Sequence, residues 1–236
     1  MVDIKNLFGL KKPDIKRMER EKDVKGLLKL LSFENDESTR REAAFILGKI
    51  TDSNNEPFSS NNEDSEVLSD SNGTGTEDPE QLVSLLNDES RDVRNNAESS
   101  LVKIGEPAVE TLVSALNNDN WRVRWHSAEI LGEIGDKRGV KPLIDALNDP
   151  NNAVRSNASI ALGEIGQPAV ETIIKALNSH NWQLRWQLVE ILGEIGDTSS
   201  EKAIEKALKD ENPEVRRAAE TALKKIQHDL QSHKIA

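Results

Sequence analysis

The chain has 236 residues and a net charge of −11, with 31% charged residues, 3% aromatic residues and neither Cys nor Tyr. Without cysteine there is no disulfide, no thiolate zinc or iron–sulfur site and no cysteine nucleophile. A hydrophobic content of 36% is thin for a single thick core, and no part of the chain has the basic balance of a nucleic-acid binder.

Residues 1–22 form an N-terminal lead-in, MVDIKNLFGLKKPDIKRMEREK, which is charged and interrupted and lacks the apolar run of a signal peptide. The apolar runs are short, such as residues 26–31, against the ~20 residues that cross a bilayer. A soluble cytoplasmic protein without a membrane partner is expected. Residues 23–50 (DVKGLLKLL to TRREAAFILGKI) read as a first helical unit. Residues 51–78 differ in kind, with eight acidic side chains, no basic one, six Ser and five Asn. Such a composition buries too little apolar surface to offset the entropy of ordering, so a disordered acidic loop insertion is expected.

From residue 79 the chain keeps a rhythm. Leu101, Leu131, Leu162, Leu192 and Leu223 recur at alternating intervals of 30 and 31 residues, and Arg94, Arg124, Arg155, Arg185 and Arg216 recur at the same intervals. Units are expected at 79–105, 106–135, 136–166, 167–196 and 197–236, the last including a polar C-terminal cap. Each unit reads as two helices. A short one carries an apolar face, as in Val109, Leu112, Val113 and Leu116, and Asn, Asp or Pro then stops it and caps the next. The second helix carries a stripe such as Val123, Ser127, Ile130, Leu131 and Ile134, ended by the Gly135-Asp136 turn.

With LGEIG at 131–135 and 192–196 and ALGEIG at 161–166, the units resemble HEAT repeats of the short type named after phycobilin lyases. The resemblance covers residues 79–226 as five repeats and residues 23–50 as a sixth. It implies an all-α, right-handed α-solenoid of about six hairpins, the second helices lining the concave side. The deoxyhypusine hydroxylase family, which the repeat also resembles, binds iron through His-Glu pairs directly after Val-Arg. Here those places hold Asn95-Asn96, Trp125-His126, Ser156-Asn157, Trp186-Gln187 and Arg217-Ala218, so that activity is not implied.

Few residues offer chemistry of their own. His126, Glu129 and Glu133 have spacing compatible with a metal on one helix, but the matching repeat has Gln187, and the group reads as solvated surface. Gly73-Thr74-Gly75 has no strand or lysine around it and is no phosphate cradle. Neither a metal nor another cofactor is expected.

Tryptophan breaks the pattern. All four lie in the related segments NWRVRWHSAEILGEIGD and NWQLRWQLVEILGEIGD, as Trp121, Trp125, Trp182 and Trp186. With Val123 at zero on a helical wheel, the core residues average roughly 30–40° and Trp121 and Trp125 point near 160° and 200°. Glu129 and Glu190 continue the two lines. The pairs should stand roughly 20 Å apart, because adjacent helices pack about 10 Å apart, with Asn152 and Ser156 as a saddle between them. Trp121, Trp125, Trp182 and Trp186 are the expected anchors for a protein or peptide, Trp125 and Trp186 lying deeper on the inner helices, with Arg91, Arg122 and Arg217 as flanking cations.

The arginine column has a structural explanation. Its members stand near the inter-helix acids Asp88, Asp119, Asp149 and Asp210, Ser179 being the exception, and Arg–Asp contacts should stitch unit to unit. Arginines so engaged leave little to neutralise phosphates, and a nucleic-acid partner is not expected. The expected function is a non-catalytic interaction or scaffold module; the family resemblance offers a lyase- or oxidoreductase-like activity, on a tetrapyrrole or protein substrate, as the alternative, and nucleic-acid binding is a weaker one.

Overall fold

The computed structural model describes residues 13–31, 35–53 and 79–235. Among them there are helices and turns and no strand. The first elements are α1 (Ile15–Glu21), α2 (Val24–Leu30) and α3 (Glu37–Ser53). Helix α3 takes in the first three residues of the acidic stretch, and the remainder of the expected loop, residues 54–78, lies outside the described residues.

Hairpins follow in sequence: α4 (Pro79–Leu85) with α5 (Arg91–Ile104), α6 (Val109–Ala115) with α7 (Trp121–Ile134), and α8 (Val140–Ala146) with α9 (Asn152–Ile165). Then come α10 (Gln167–Ala176) with α11 (Trp182–Ile195), and α12 (Glu201–Ala207) with α13 (Pro213–Ile235). The hairpins stack into a right-handed α-solenoid in which each second helix packs on the one before and the one after.

Local chemistry sets each element. The side chains of Asn120, Asn151, Asn181 and Asn212 accept the amides of Arg122, Ala153, Gln183 and Glu214, satisfying helix-end donors of α7, α9, α11 and α13. Gly135 and Gly196 end α7 and α11 in the left-handed conformation, with φ of 72° and 71°. The stripe then does the packing. Val93, Leu101, Val123, Leu131, Val154, Leu162 and Leu192 are all buried, and complete burial of such a side chain contributes about 1.5–3 kcal/mol.

The arginine column performs two tasks. Its Nη1 groups fasten each hairpin to itself: Arg94 donates to the Asp88 and Glu89 carbonyls, Arg124 to Asn118 and Asp119, and Arg155 to Asp149 and Pro150. Arg185 and Arg216 do the same with Ser179 and with Asp210 and Glu211. Among the described residues, the column arginines bridge hairpin to hairpin through the other edge of the guanidinium, and only at alternate junctions. Arg124 grips Asp149 at 2.7 and 2.9 Å, and Arg185 grips Asp210 at 2.8 and 2.8 Å. Asp88 is gripped at 3.0 Å by Arg40 of the first hairpin, which lies outside the 30- and 31-residue rhythm of the column.

Asp119 contributes its main-chain carbonyl, not its carboxylate. The gripped acid stands two residues before the cap, where its oxygen also accepts the cap amide, and Asn118 holds that place in front of Asn120. Ser179 holds it in front of Asn181. Among the described residues, Arg94 and Arg155 accordingly form no ion pair to the following hairpin.

The junctions α3/α5, α7/α9 and α11/α13 are therefore clamped, and α5/α7 and α9/α11 are not. Glycine reinforces the distinction. A Cβ on Gly132 of α7 would lie 2.8 Å from Ala161 Cα, and one on Gly193 of α11 would lie 2.7 Å from Ala222 Cβ, whereas one on Gly163 of α9 would meet nothing within 4 Å.

Candidate functional site: two related clefts

Two clefts open beside the unclamped junctions, and the second extends over the clamped α11/α13 junction. The first, about 760 Å3, lies over α5 and α7 and is lined by Trp121, Trp125, Arg91, Arg122, Glu98, His126, Glu129 and Glu133. The second, about 870 Å3, spans α9, α11 and α13 and is lined by Ile160, Glu164, Trp186, Glu190, Glu194, Arg217 and Thr221. Trp125, Glu129 and Glu133 correspond to Trp186, Glu190 and Glu194 after 61 residues, so the clefts are two versions of one design.

The tryptophans do not share one environment. Trp121 and Trp182, each the first residue of its helix, are 39% and 36% exposed. Trp125 and Trp186, the expected deeper anchors, are half-buried, and Trp186 packs against the core. Arg122 lies over the Trp121 ring at 5.3 Å, a cation–π contact that holds the guanidinium at the rim. Asn157 of α9 donates to the Trp125 carbonyl at 2.9 Å, fixing the saddle helix against α7. Asn152 and Ser156 are exposed on that helix, between α7 and α11. Arg91 is exposed at the first cleft, and Arg217, at the second, pairs with Glu214 at 3.3 Å.

Carboxylates set the potential of both clefts. Burial and the negative charges of Glu98, Glu129 and Glu164 raise the pKa of Glu133 above the ordinary carboxylate value. Glu190 is likewise raised, by burial and by Glu194, against an opposing hydrogen bond from Trp186. In the first cleft alone an imidazole joins the acids. His126 Nδ1 lies 3.3 Å from Glu98 Oε2 and 3.7 Å from Glu129 Oε2. Burial works against the imidazolium, but Glu129 and Glu98 together hold its pKa above the ordinary value.

Sequence reasoning missed Glu98 and Ile160. Glu98 is 28 residues from His126 and meets it only because α5 and α7 stack. Ile160, 56% exposed at the second cleft, stands at the place that Ser99, Glu129, Glu190 and Thr221 hold in the other units, and an apolar residue in that polar series could have been noticed.

A family model for HEAT repeats matches residues 109–173 and 170–232, together more than half of the chain. The chain belongs to the HEAT-repeat family. No curated protein matches this HEAT chain in sequence. Among solved structures it is similar to an engineered protein at 22% identity, over 87% of this chain and 97% of that one, with a TM-score of 0.40. It is also similar to the complex of CpcE and CpcF of phycocyanin lyase from Nostoc sp., at 25% identity over 70% and 71% of the chains, with a TM-score of 0.40. A third is human deoxyhypusine hydroxylase in complex with glycerol, at 18% identity over 91% and 77%, with a TM-score of 0.43. No helix among the described residues is long and apolar enough to cross a membrane.

Proposed function

We propose that this HEAT-repeat chain is a non-catalytic binding module that holds a protein or extended peptide along its second-helix face, at the two Trp-bearing clefts. The observation that carries the reading is the repetition itself. The same Trp-Glu-Glu constellation recurs after 61 residues, in two clefts of the second-helix face. Exposed indoles with a charged rim are the composition of interface anchors. Two such sites on one solenoid suit a ligand long enough to touch both, whose second contact is then intramolecular. A nucleic acid suits the face less well, because the column arginines are engaged by loop carbonyls and aspartates and carboxylates edge both clefts.

The exposed pair gives the cleaner test. Trp121→Ala/Trp182→Ala removes the two indoles whose truncation disturbs the core least. A partner captured by the wild-type chain from an extract of the source organism is then titrated, purified, against both proteins. Loss of both anchors should weaken binding by at least about 30-fold, the effect of one interface hot spot, with helical circular dichroism unchanged. Equal affinity of variant and wild type would remove Trp121 and Trp182 from the binding face.

A further inference from the structure

Independently of that function, we infer that Glu98, His126 and Glu129 form a binding site for a divalent first-row transition-metal ion at the α5/α7 junction. Glu98 comes from α5, and His126 and Glu129 come from one face of α7, three residues apart. One oxygen or nitrogen from each of the three lies within 4.8 Å of the others. The separations of 3.3 and 3.7 Å from Nδ1 exceed the ~2.7–2.9 Å of a charge-assisted hydrogen bond. They approach the ~3.3 Å between two ligands that sit about 2.0–2.1 Å from one tetrahedral ion.

The state of the atoms agrees with that geometry. His126 Nδ1 and Glu129 Oε2 are both shut off from solvent, and beyond the loose approaches of 3.3 and 3.7 Å neither makes a hydrogen bond of ordinary geometry. Polar atoms left so are costly, at roughly 1–3 kcal/mol each, and a single cation between them would satisfy both. The His126 side chain is 12% exposed, and its ring is held edge-on against Trp125 with centroids 4.7 Å apart, so the imidazole is oriented by packing. Charge favours a cation as well, since Glu98, Glu129, Glu133 and Glu164 all bear on this corner of the cleft. Imidazole nitrogen with two carboxylate oxygens suits Zn2+, Mn2+ or Fe2+ better than Mg2+ or Ca2+, which prefer all-oxygen sites. Three protein ligands leave further coordination positions for water or for a donor from a bound partner.

The molecule contains its own control. In the second cleft the places of Glu98 and His126 are taken by Ser159 and Gln187, and only Glu190 remains. The ion would also add, at a junction without an Arg–Asp clamp, a second link between successive hairpins beside the Asn120–Asn87 hydrogen bond of 2.6 Å.

The test titrates Zn2+ into the full chain after chelator treatment, by calorimetry, and follows melting with and without the ion. One equivalent should bind and raise the melting temperature, and Mg2+ should do neither. H126Q and E98S, which rewrite the first cleft with residues of the second, should bind Zn2+ more than about tenfold more weakly while melting like wild type in chelator. Should H126Q melt early in chelator, E98S decides. Absence of stoichiometric Zn2+ uptake by wild type overturns the inference. So does undiminished uptake by a folded H126Q or E98S, which would place the ion on another group such as the C-terminal histidines.

Discussion

The clamped and unclamped junctions of the solenoid are built from the same helices and differ in a handful of residues. Where Asp stands two places before the cap, as Asp88, Asp149 and Asp210 do, an arginine of the preceding hairpin reaches it and closes the joint. Where Asn118 or Ser179 stands there, the arginine keeps only its own loop carbonyls, and a cleft bordered by tryptophan and glutamate opens beside the joint. Small residues follow the same division, since Gly132 and Gly193 let α9 and α13 approach, while Gly163 faces open space. Cohesion is thus concentrated within pairs of hairpins, while the cleft surface begins at the open junctions and, toward the C-terminus, runs on over the closed α11/α13 joint.

The largest effect should come from opening a clamp. Arg40→Met leaves the Asp88 carboxylate, whose side chain is 0% exposed, without its cation, and an uncompensated buried charge costs roughly 3–5 kcal/mol. Arg94→Met at the open α5/α7 junction removes two hydrogen bonds to loop carbonyls and should cost only about 1–2 kcal/mol. Urea unfolding of the two variants compares them directly, and equal losses would abolish the distinction between junctions.

Alanine at the three matching glycines should separate the junctions by sign. In Gly193→Ala the new methyl would stand 2.7 Å from Ala222 Cβ and 2.9 Å from its Cα, where a helix backbone must move. Overpacking of this kind costs about 1–3 kcal/mol, and Gly132→Ala, facing Ala161, should behave alike. Gly163→Ala meets no atom within 4 Å and should stabilise by about 0.5–1 kcal/mol through helix propensity alone. Thermal melting gives the order, and a destabilised Gly163→Ala would mean that the α9/α11 junction is closed.

The hairpins were legible in the sequence because everything that makes them is local: a stripe of 3.6-residue period, an Asn cap and a Gly stop. Which junctions close was not legible, because it depends on partners 25 residues apart, as Arg124 and Asp149 are, and on a register of one residue. Asp119 satisfied the composition and missed the position, which Asn118 occupies. The helical wheel placed the tryptophans off the core stripe, but a wheel contains no neighbours. Trp186 lies off the stripe of α11 and is nonetheless half-covered by adjoining helices. The Glu98–His126 pairing was hidden for the same reason, since nothing near either residue in the chain indicates the other.

Acid should act in opposite directions on clamps and clefts, by smaller amounts. For Asp149, burial pushes the pKa up, but the Arg124 hydrogen bond, the Asn151 amide and the charges of Arg124 and Arg155 outweigh it and hold the carboxyl below its ordinary value. Asp210 is lowered chiefly by its hydrogen bond to Arg185. Below the unfolded value of about 3.9, the unfolded chain binds protons that the native clamps refuse, so this stabilisation is present above that pH and is lost as pH falls through the folded values. Glu190 has the reverse sign. Its raised pKa makes the native state take up a proton first, so acidification from neutral pH relieves a strain before the clamps begin to fail. Urea midpoints measured from pH 7 to pH 3 should therefore fall less steeply below about pH 4 in Asp149→Asn/Asp210→Asn than in wild type. Glu190→Gln should keep the steep fall and lose part of any gain between pH 7 and pH 5. If the Asp variant and the wild type decline in parallel, the clamps carry no acid-sensitive stability, and the closed junctions must be held by the apolar stripe and the glycine contacts alone.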